Sequence, residues 1–394
     1  MAKRTIHTDA VIIGGGIAGL WLLNALRRAG YGAVLLESHR LGSRQTLASQ
    51  GMIHGGLKYA LGGVPSRASE TIAGMPERWR ACLEGQGELD LAGLEPLSEH
   101  TYLFAEQGGL GPLSAFLASK VLQSGAQRLR PEEYPELLRS EAFKGIVYRL
   151  NDFVLDPVRL TERLASLGAP HLYTASRIDR IHDGADSARI EIGNLRIACR
   201  RLILAAGAGN EALLKRLGLP VAMQRRSLHQ VVVRHPALGP FFGHCLTDNK
   251  GAEPRLTITS HPAGSDGSWL WCVGGRLATS GTDRSLADQR RFARSELAAC
   301  VPWIDWQEAE IECFRLDRAE PRQAKDQRPD EAFAEIQSSC IVCWPTKLTL
   351  TPDLGQKVLA FMPASEHPAS PPLGPVCLSI LTLPPILRVE ISGG

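Results

Sequence analysis

Three glycines, Gly14, Gly16 and Gly19, stand in the pattern GxGxxG directly after the apolar run Asp9–Ile13 and directly before the apolar-rich stretch Ile17–Ala29. A strand, a glycine turn and a helix in that order can cradle a pyrophosphate. The first glycine permits the tight turn, the second lets backbone N–H groups approach the phosphates, and the third lets helix and strand pack closely. The amino end of the helix then faces the phosphate charge. A second apolar segment, Ala33–Leu36, is followed by Glu37, and a carboxylate at that strand end accepts hydrogen bonds from ribose hydroxyls. Together these residues predict one Rossmann-type βαβ unit, about 30 residues long. Glu37 disfavours a ribose 2′-phosphate and so argues against NADP, leaving NAD and FAD both open.

A chain of 394 residues is long enough for two lobes, each with its own interior. The net charge of +3 is too small to make nucleic acid the main partner, though it can draw in an anionic small-molecule substrate. The basic start, Met1–His7, runs straight into the first strand rather than into an apolar signal core. No run approaches the roughly 18 apolar residues of a membrane span, so no transmembrane segment and a cytoplasmic location are expected. The nine cysteines follow no regular framework, which suits reduced thiols. Cys340 and Cys343 form a CxxC, but Ile341 and Val342 continue a buried-strand pattern between them, so neither a redox nor a metal role is expected. No signal of oligomeric state is present.

Beyond the βαβ unit, Ser43–Gly63 is rich in Gly and Ser and reads as an extended loop laid against a ligand. Residues 65–140 read as mainly helical, with an amphipathic stretch at Pro112–Gln123 and a helix start at Arg130-Pro131-Glu132-Glu133. Asp156-Pro157 opens a helix through Leu167. Strands are predicted over His171–Ile181, Ala188–Ile192 and Arg196–Ile203, the last leading into the small-residue turn Leu204–Gly209. From about 222 to 335 strand signals dominate, at Gln230–Arg234, Leu256–Thr259 and Trp269–Gly274, with a charged helix at Ser285–Cys300. Strands return at Cys340–Trp344 and Lys357–Phe361, before a Pro-rich end.

With these segments in order, the chain resembles the FAD-dependent D-amino acid oxidase superfamily, which includes glycine oxidase, sarcosine oxidase and the flavin-linked glycerol-3-phosphate dehydrogenases. The resemblance rests on Val11–Ser38, on Ser43–Tyr59 (SRQTLASQGMIHGGLKY), and on Leu155-Asp156-Pro157 with Ala205-Ala206-Gly207. Ala48-Ser49-Gln50-Gly51-Met52 is similar to the stretch that runs under the flavin ring in glycine oxidase, and His54-Gly55-Gly56-Leu57-Lys58-Tyr59 is similar to a loop of the glycerol-3-phosphate dehydrogenases. The resemblance implies FAD as cofactor and an α/β fold with a Rossmann-type, glutathione-reductase-like FAD-binding domain over residues 1–85, 145–221 and 336–394. It further implies an α+β substrate domain on a mainly antiparallel sheet, over residues 86–144 and 222–335.

Carried over residue by residue, the resemblance gives the nucleotide to Gly14, Gly16, Ile17, Ala18 and Gly19 with Glu37 and Ser38. Ser43, Arg44 and Thr46 meet the phosphates and ribityl chain, Arg44 because a guanidinium suits a diphosphate. Ala48, Ser49, Gln50, Gly51 and Met52 lie beside the isoalloxazine ring. Ile178, placed in the strand before the Ala-Ala-Gly turn, borders the adenine, and Ala206 and Gly207 support the pyrophosphate loop.

A flavin oxidises an amine or hydroxy compound by taking a hydride at N5, so the protein's tasks are to bind, orient and exclude water. Neither a Ser/His/Asp triad nor zinc-ligand spacing is present, and no metal is expected. His54 has three readings: a polar contact to substrate or flavin that aids proton removal, a covalent link to the flavin, or a brace for its loop. The covalent reading follows from a histidine in a similar loop of dimethylglycine dehydrogenase and sarcosine dehydrogenase. Lys347 falls near the carboxylate-clamping arginine of the superfamily's amino acid oxidases, but a lysine offers a point charge and not a fork, which argues against a simple α-amino acid. Its other reading is a solvated lysine at a strand end. Arg276, with His229 or Arg226, is a candidate to line the pocket from the second lobe. The tail departs from the superfamily, with Pro368–Pro375 where a Gly-rich turn near the flavin pyrimidine is usual. The expected activity is oxidation of a small amine, amino acid or hydroxy acid. The alternatives are a dehydrogenase of a phosphorylated polyol such as glycerol 3-phosphate, and an FAD-containing subunit that needs a partner.

Overall fold

The computed structural model describes residues 3–55, 71–105, 126–246, 253–264, 267–324 and 329–368. The predicted unit is present as strand β1 (Arg4–Ile13), helix α1 (Ile17–Arg28) and strand β2 (Ala33–Glu37). β1 runs parallel to β2 on one side, with Ile13 opposite Leu36, and parallel to Leu195–Leu204 on the other, with Ile13 opposite Leu204. The main path of this sheet is Phe333–Gln337, Cys340–Trp344, Leu195–Leu204, β1, β2, Leu172–Thr174. The chain winds outward in both directions from β1, and open α/β sheets bind ligands beyond the carboxyl end of such a strand.

Both faces of the sheet are covered at the carboxyl end of β1, which is why Ala10–Ile13 is a continuous apolar run. Ala10 and Ile12 pack with α1, while Val11 and Ile13 pack on the opposite side with Leu202, Leu204 and Trp344. Leu20, Leu22 and Leu23 of α1 are fully buried, each contributing roughly 1.5–3 kcal/mol. Helices Pro157–Gly168 and Thr351–Ala360 lie against α1. Pro157–Gly168 starts as its sequence predicts, with the Asp156 side chain accepting from the Val158 N–H at 2.8 Å.

The second sheet runs Glu310–Pro321, Met223–Arg234, Trp269–Gly274, Leu256–Pro262, Gly243–Cys245, Thr101–Ala105, Ile146–Leu150, Gln127–Arg128. Among the described residues its pairings are antiparallel except that between Gly243–Cys245 and Thr101–Ala105. Helix Leu286–Cys300, capped by Ser285, covers one face, where Ala293 and Leu297 pack with Val231, Val233, Ile258 and Trp271.

Four sequence expectations are corrected. Within 65–140 the described part is not mainly helical: Met75–Leu83 is a helix, but Thr101–Ala105 and Gln127–Arg128 are strands. Thr101-Tyr102-Leu103-Phe104 is a β-branched and aromatic run that suits a strand, and Pro112–Gln123 lies outside the described residues. Arg130-Pro131-Glu132-Glu133 gives one 3₁₀ turn, Pro131–Glu133, because Pro135 follows at once and biases Tyr134 to extended backbone. His171–Ile181 is broken into Leu172–Thr174 and Arg180–Asp183, leaving Ile178 in the link between them. Lys357–Phe361 is not a strand but the end of helix Thr351–Ala360, which carries Pro352 and Asp353 in its first turn. Its Gly355 is pressed so closely on α1 that a Cβ would stand 2.8 Å from Trp21 Nε1.

Candidate cofactor and substrate site

The three glycines meet three different constraints. Gly14 has φ +115°, and a Cβ there would stand 2.6 Å from the Ala205 carbonyl oxygen. A Cβ on Gly19 would stand 1.9 Å from the Gly14 carbonyl oxygen, so helix and strand touch through bare backbone. At Gly16 a Cβ would meet Thr46 Oγ1 alone, at 3.2 Å, so no backbone closes over it. α1 begins at Ile17 with no side-chain cap from Gly16, and the Ile17 N–H donates to Thr46 Oγ1 at 3.0 Å. A helix start of this kind, with Ala18 and Gly19 in its first turn and open backbone at Gly16, fits a pyrophosphate.

The neighbouring candidates converge on this turn. The Glu37 carboxylate accepts from the Gly15 N–H at 2.6 Å, from the His39 N–H at 2.8 Å and from the Ser38 hydroxyl at 3.3 Å. The Gly42 N–H donates to the Gly15 carbonyl at 2.8 Å and pins the following turns, where Ser43 and Arg44 are exposed. Across β1, the Ala206 N–H donates to buried Asn210 Oδ1 at 2.9 Å, and Gly207 takes φ +57° with its carbonyl accepting from Trp344 Nε1 at 3.1 Å. Ile178 is the outlier: its carbonyl accepts from Arg216 at 2.9 Å in the link described above, not within a strand.

From this turn the chain crosses to the second sheet through Ala48–Met52. Gly51 has φ +69° and lies so close to Leu155 that a Cβ would stand 1.9 Å from its carbonyl oxygen, while the Leu155 N–H donates to the Gly51 carbonyl at 2.9 Å. Met52–Ile53 then pairs with Phe153–Val154. Gln50 reaches over to donate to the carbonyls of Thr257 at 2.9 Å and Cys272 at 3.0 Å. Near that contact the buried atoms Ser49 Oγ, Gln230 Oε1 and Thr259 Oγ1 have no partner among the described residues. Thr259 lies opposite Cys272, and Gln230 Oε1 is 3.5 Å from where a Gly274 Cβ would stand. Buried polar atoms of this kind cost about 1–3 kcal/mol each unless a ligand or water satisfies them. Gln230 and Thr259 were missed from sequence, where their one signal is a polar residue inside an apolar strand.

His54 is half-buried at the end of Met52–Ile53. Its backbone N–H donates to Thr349 Oγ1 at 3.2 Å, and the next amide, of Gly55, donates to Asp152 Oδ1 at 2.8 Å. Burial pushes the Asp152 carboxyl up to about 6, against the opposing pull of the Gly55 N–H and the Arg80 charge. Neither Thr349 nor Asp152 was singled out from sequence, since an isolated Thr or Asp carries no spacing signal. Lys347, two residues before Thr349, is not solvated: only 6% of it is exposed, and its ammonium lies 3.2 Å from Asp330. Thr346 beside it holds φ +61°, a left-handed backbone that a β-branched residue rarely adopts.

Beside the second sheet, Arg276 opens the short helix Arg276–Thr279 two residues after Gly274, where a Cβ would stand 2.5 Å from Gln50 Oε1. Arg226 pairs with Glu320 through two hydrogen bonds, 2.6 and 3.1 Å. His229 does not line this side, because alternate strand residues face opposite ways. It shares its face with Val231 and Val233, is fully buried, and has Nδ1 2.9 Å from the Gly281 carbonyl. In the CxxC, burial pushes the Cys343 thiol up to about 12 and raises that of Cys340, as inert strand residues require. Lys58, Tyr59 and the tail beyond Pro368 lie outside the described residues.

The sequence profile of the FAD-dependent oxidoreductase family known as DAO matches residues 9–320. A probable FAD-dependent oxidoreductase of Pseudomonas aeruginosa is 47% identical over 377 residues, which cover 94% of this chain and 96% of that one. The crystal structure of that Pseudomonas oxidoreductase superposes with a TM-score of 0.79, 43% identity and 97% coverage of both chains. Two more distant structures share the fold. Glycine oxidase from Geobacillus kaustophilus has a TM-score of 0.67 at 18% identity, covering 96% of this chain and all of that one (100%). FAD-bound L-α-glycerophosphate oxidase from Mycoplasma pneumoniae has 0.65 at 16%, covering 90% and 94%.

Proposed function

The chain belongs to the FAD-dependent oxidoreductase (DAO) family, and from that premise we propose that it oxidises a small amine, amino acid or hydroxy acid at the junction of its two sheets. FAD is its cofactor, and when bound it supplies the hydride acceptor. The observation that carries the reading is the continuity of one segment: Thr46 touches the first turn of α1, Gln50 touches the second sheet, and His54 ends the run. In this reading Gly14, Gly16, Gly19, Glu37, Thr46 and Gly207 hold the nucleotide, while Ala48–Met52 border the flavin.

The chain's own residues then perform three tasks. Ser49, Gln230 and Thr259 offer buried polar atoms that have no partner among the described residues and can orient a ligand. Fully buried Ile53, Phe153 and Val154, in the strand pair that leads into His54, keep water from that end of the run. His54, whose side-chain type ionises near neutrality, takes up or returns the substrate proton. Lys347 and Arg276 supply positive charge near an anionic group, Lys347 with its charge already balanced by Asp330.

A second reading, oxidation of a phosphorylated polyol, is favoured by the His54–Tyr59 loop and by the shared fold of the glycerophosphate oxidase. A cytoplasmic location is part of the proposal, and no helix among the described residues is long and apolar enough to cross a membrane. The test is anaerobic addition of amines, amino acids, hydroxy acids and phosphopolyols to the FAD-loaded protein. Bleaching by one of the first three classes supports the proposal, and bleaching by phosphopolyols alone selects the second reading. Bound FAD that no compound bleaches contradicts both and favours an FAD-containing subunit that needs a partner.

A further inference from the structure

The residue that ends the crossing segment is held by its backbone from two distant parts of the chain. The His54 N–H donates to Thr349 Oγ1 at 3.2 Å, and the same hydroxyl donates to the Met52 carbonyl at 3.2 Å. One residue on, the Gly55 N–H donates to Asp152 Oδ1 at 2.8 Å. Thr349 is fully buried and Asp152 is buried, so neither contact is exchanged cheaply for water.

Helix Met75–Leu83 braces both partners with consecutive residues. Trp79 Nε1 donates to the Thr349 carbonyl at 2.9 Å. Arg80 donates to the carbonyls of Asn151 and Glu99, each at 3.2 Å, and lies 4.6 Å above the Phe153 ring, so it grips the chain on either side of Asp152.

We propose that Asp152 and Thr349 are positioning residues: a two-sided clamp on the His54–Gly55 backbone that fixes the imidazole of His54 in the site. The proposal rests on the reading of His54 as the polar group that faces substrate or flavin. The two halves of the clamp differ in kind. Thr349 is neutral at every pH, whereas Asp152 is a strong acceptor only when ionised. Burial sets its ionisation at about 6, with the Gly55 N–H and the Arg80 guanidinium as the groups that oppose the rise. The Asp152 half therefore weakens as the pH falls through that value, while the Thr349 half does not.

The experiment uses the FAD-loaded protein labelled with ¹⁵N-glycine, with the Gly55 amide identified by its loss in Gly55→Ala. The Gly55 amide shift is expected to titrate with an inflection near pH 6 in the wild type and to lose that inflection in Asp152→Asn. Thr349→Val is expected to lower kcat about tenfold with little change in KM, as misplacement of a reacting group does, and Thr349→Ser to recover it. A Gly55 amide shift that Asp152→Asn leaves unmoved throughout this range overturns the clamp, as do Thr349→Val and Asp152→Asn proteins that both keep full kcat. If His54→Asn turns over like the wild type, the reading of His54 fails separately, and the Gly55 titration still judges the clamp because it needs no substrate.

Discussion

The carboxylate of Glu37 accepts a hydrogen bond from the Gly15 N–H at 2.6 Å. The residue that ends β2 is thereby tied to the turn that ends β1, so the groups proposed for ribose and for phosphate are held as one unit. Glu37→Ala is expected to weaken FAD binding roughly 10- to 100-fold, the worth of a hydrogen bond to a charged group. Fluorescence titration of FAD into the apoprotein measures this, and wild-type affinity in the variant would remove Glu37 from the site.

Gly16 and Gly19 separate folding from binding. A Cβ at Gly19 would lie 1.9 Å from the Gly14 carbonyl oxygen, whereas one at Gly16 would meet Thr46 Oγ1 alone at 3.2 Å. Gly19→Ala is expected to give insoluble or strongly destabilised protein. Gly16→Ala should fold with a near-wild-type far-ultraviolet spectrum yet retain little FAD. Equal behaviour of the two variants would contradict this assignment.

The sequence made the βαβ unit legible because its information is local: glycine spacing, apolar runs and one acid at a strand end all fall within Asp9–Glu37. Lys357–Phe361 was misread because a short apolar run suits either strand or helix. What decides it is the packing of Gly355 on Trp21, which no local pattern contains. His229 and Gln230 are neighbours in sequence, yet one faces helix Leu286–Cys300 and the other the Gln50 side, and only the register of the strand tells them apart. The partners of His54 come from residues 97 and 295 positions away from the amides they hold, so the sequence could name His54 but not its setting.

Arg226 neutralises Glu320, which is 1% exposed and also accepts from Gln224 at 2.8 Å. Arg226→Met leaves that carboxylate buried without its charge partner and is expected to cost about 3 kcal/mol of stability. Arg226→Met combined with Glu320→Gln should recover much of the loss. Urea denaturation of the three proteins checks this, and a double variant no more stable than Arg226→Met would show that the charge is not the cause.

Asp9 links acid stability to the far end of the described chain. Burial alone would raise its pKa. Hydrogen bonds from Ser365 Oγ at 2.7 Å and from the N–H groups of Glu366, Gly32 and His367 at 2.9, 2.9 and 3.1 Å outweigh it and hold the carboxyl below its ordinary value. A group with a depressed folded-state pKa contributes stability that is present above the unfolded pKa and is lost as the pH falls through the folded one. The stability gap between wild type and Asp9→Asn is therefore expected to be constant near neutrality and to close below about pH 4. A gap that widens in acid would contradict the assignment.

The most direct test of the central claim is the rate of anaerobic flavin bleaching by the compound class that reduces the wild type, compared in wild type and His54→Asn by stopped-flow absorbance. Substrate oxidation beside the His54 segment predicts that the variant binds FAD as tightly as the wild type and is reduced at least tenfold more slowly, as loss of a general base requires. A variant reduced at the wild-type rate would place the chemistry away from His54, and a wild type that no small substrate bleaches would contradict the account itself.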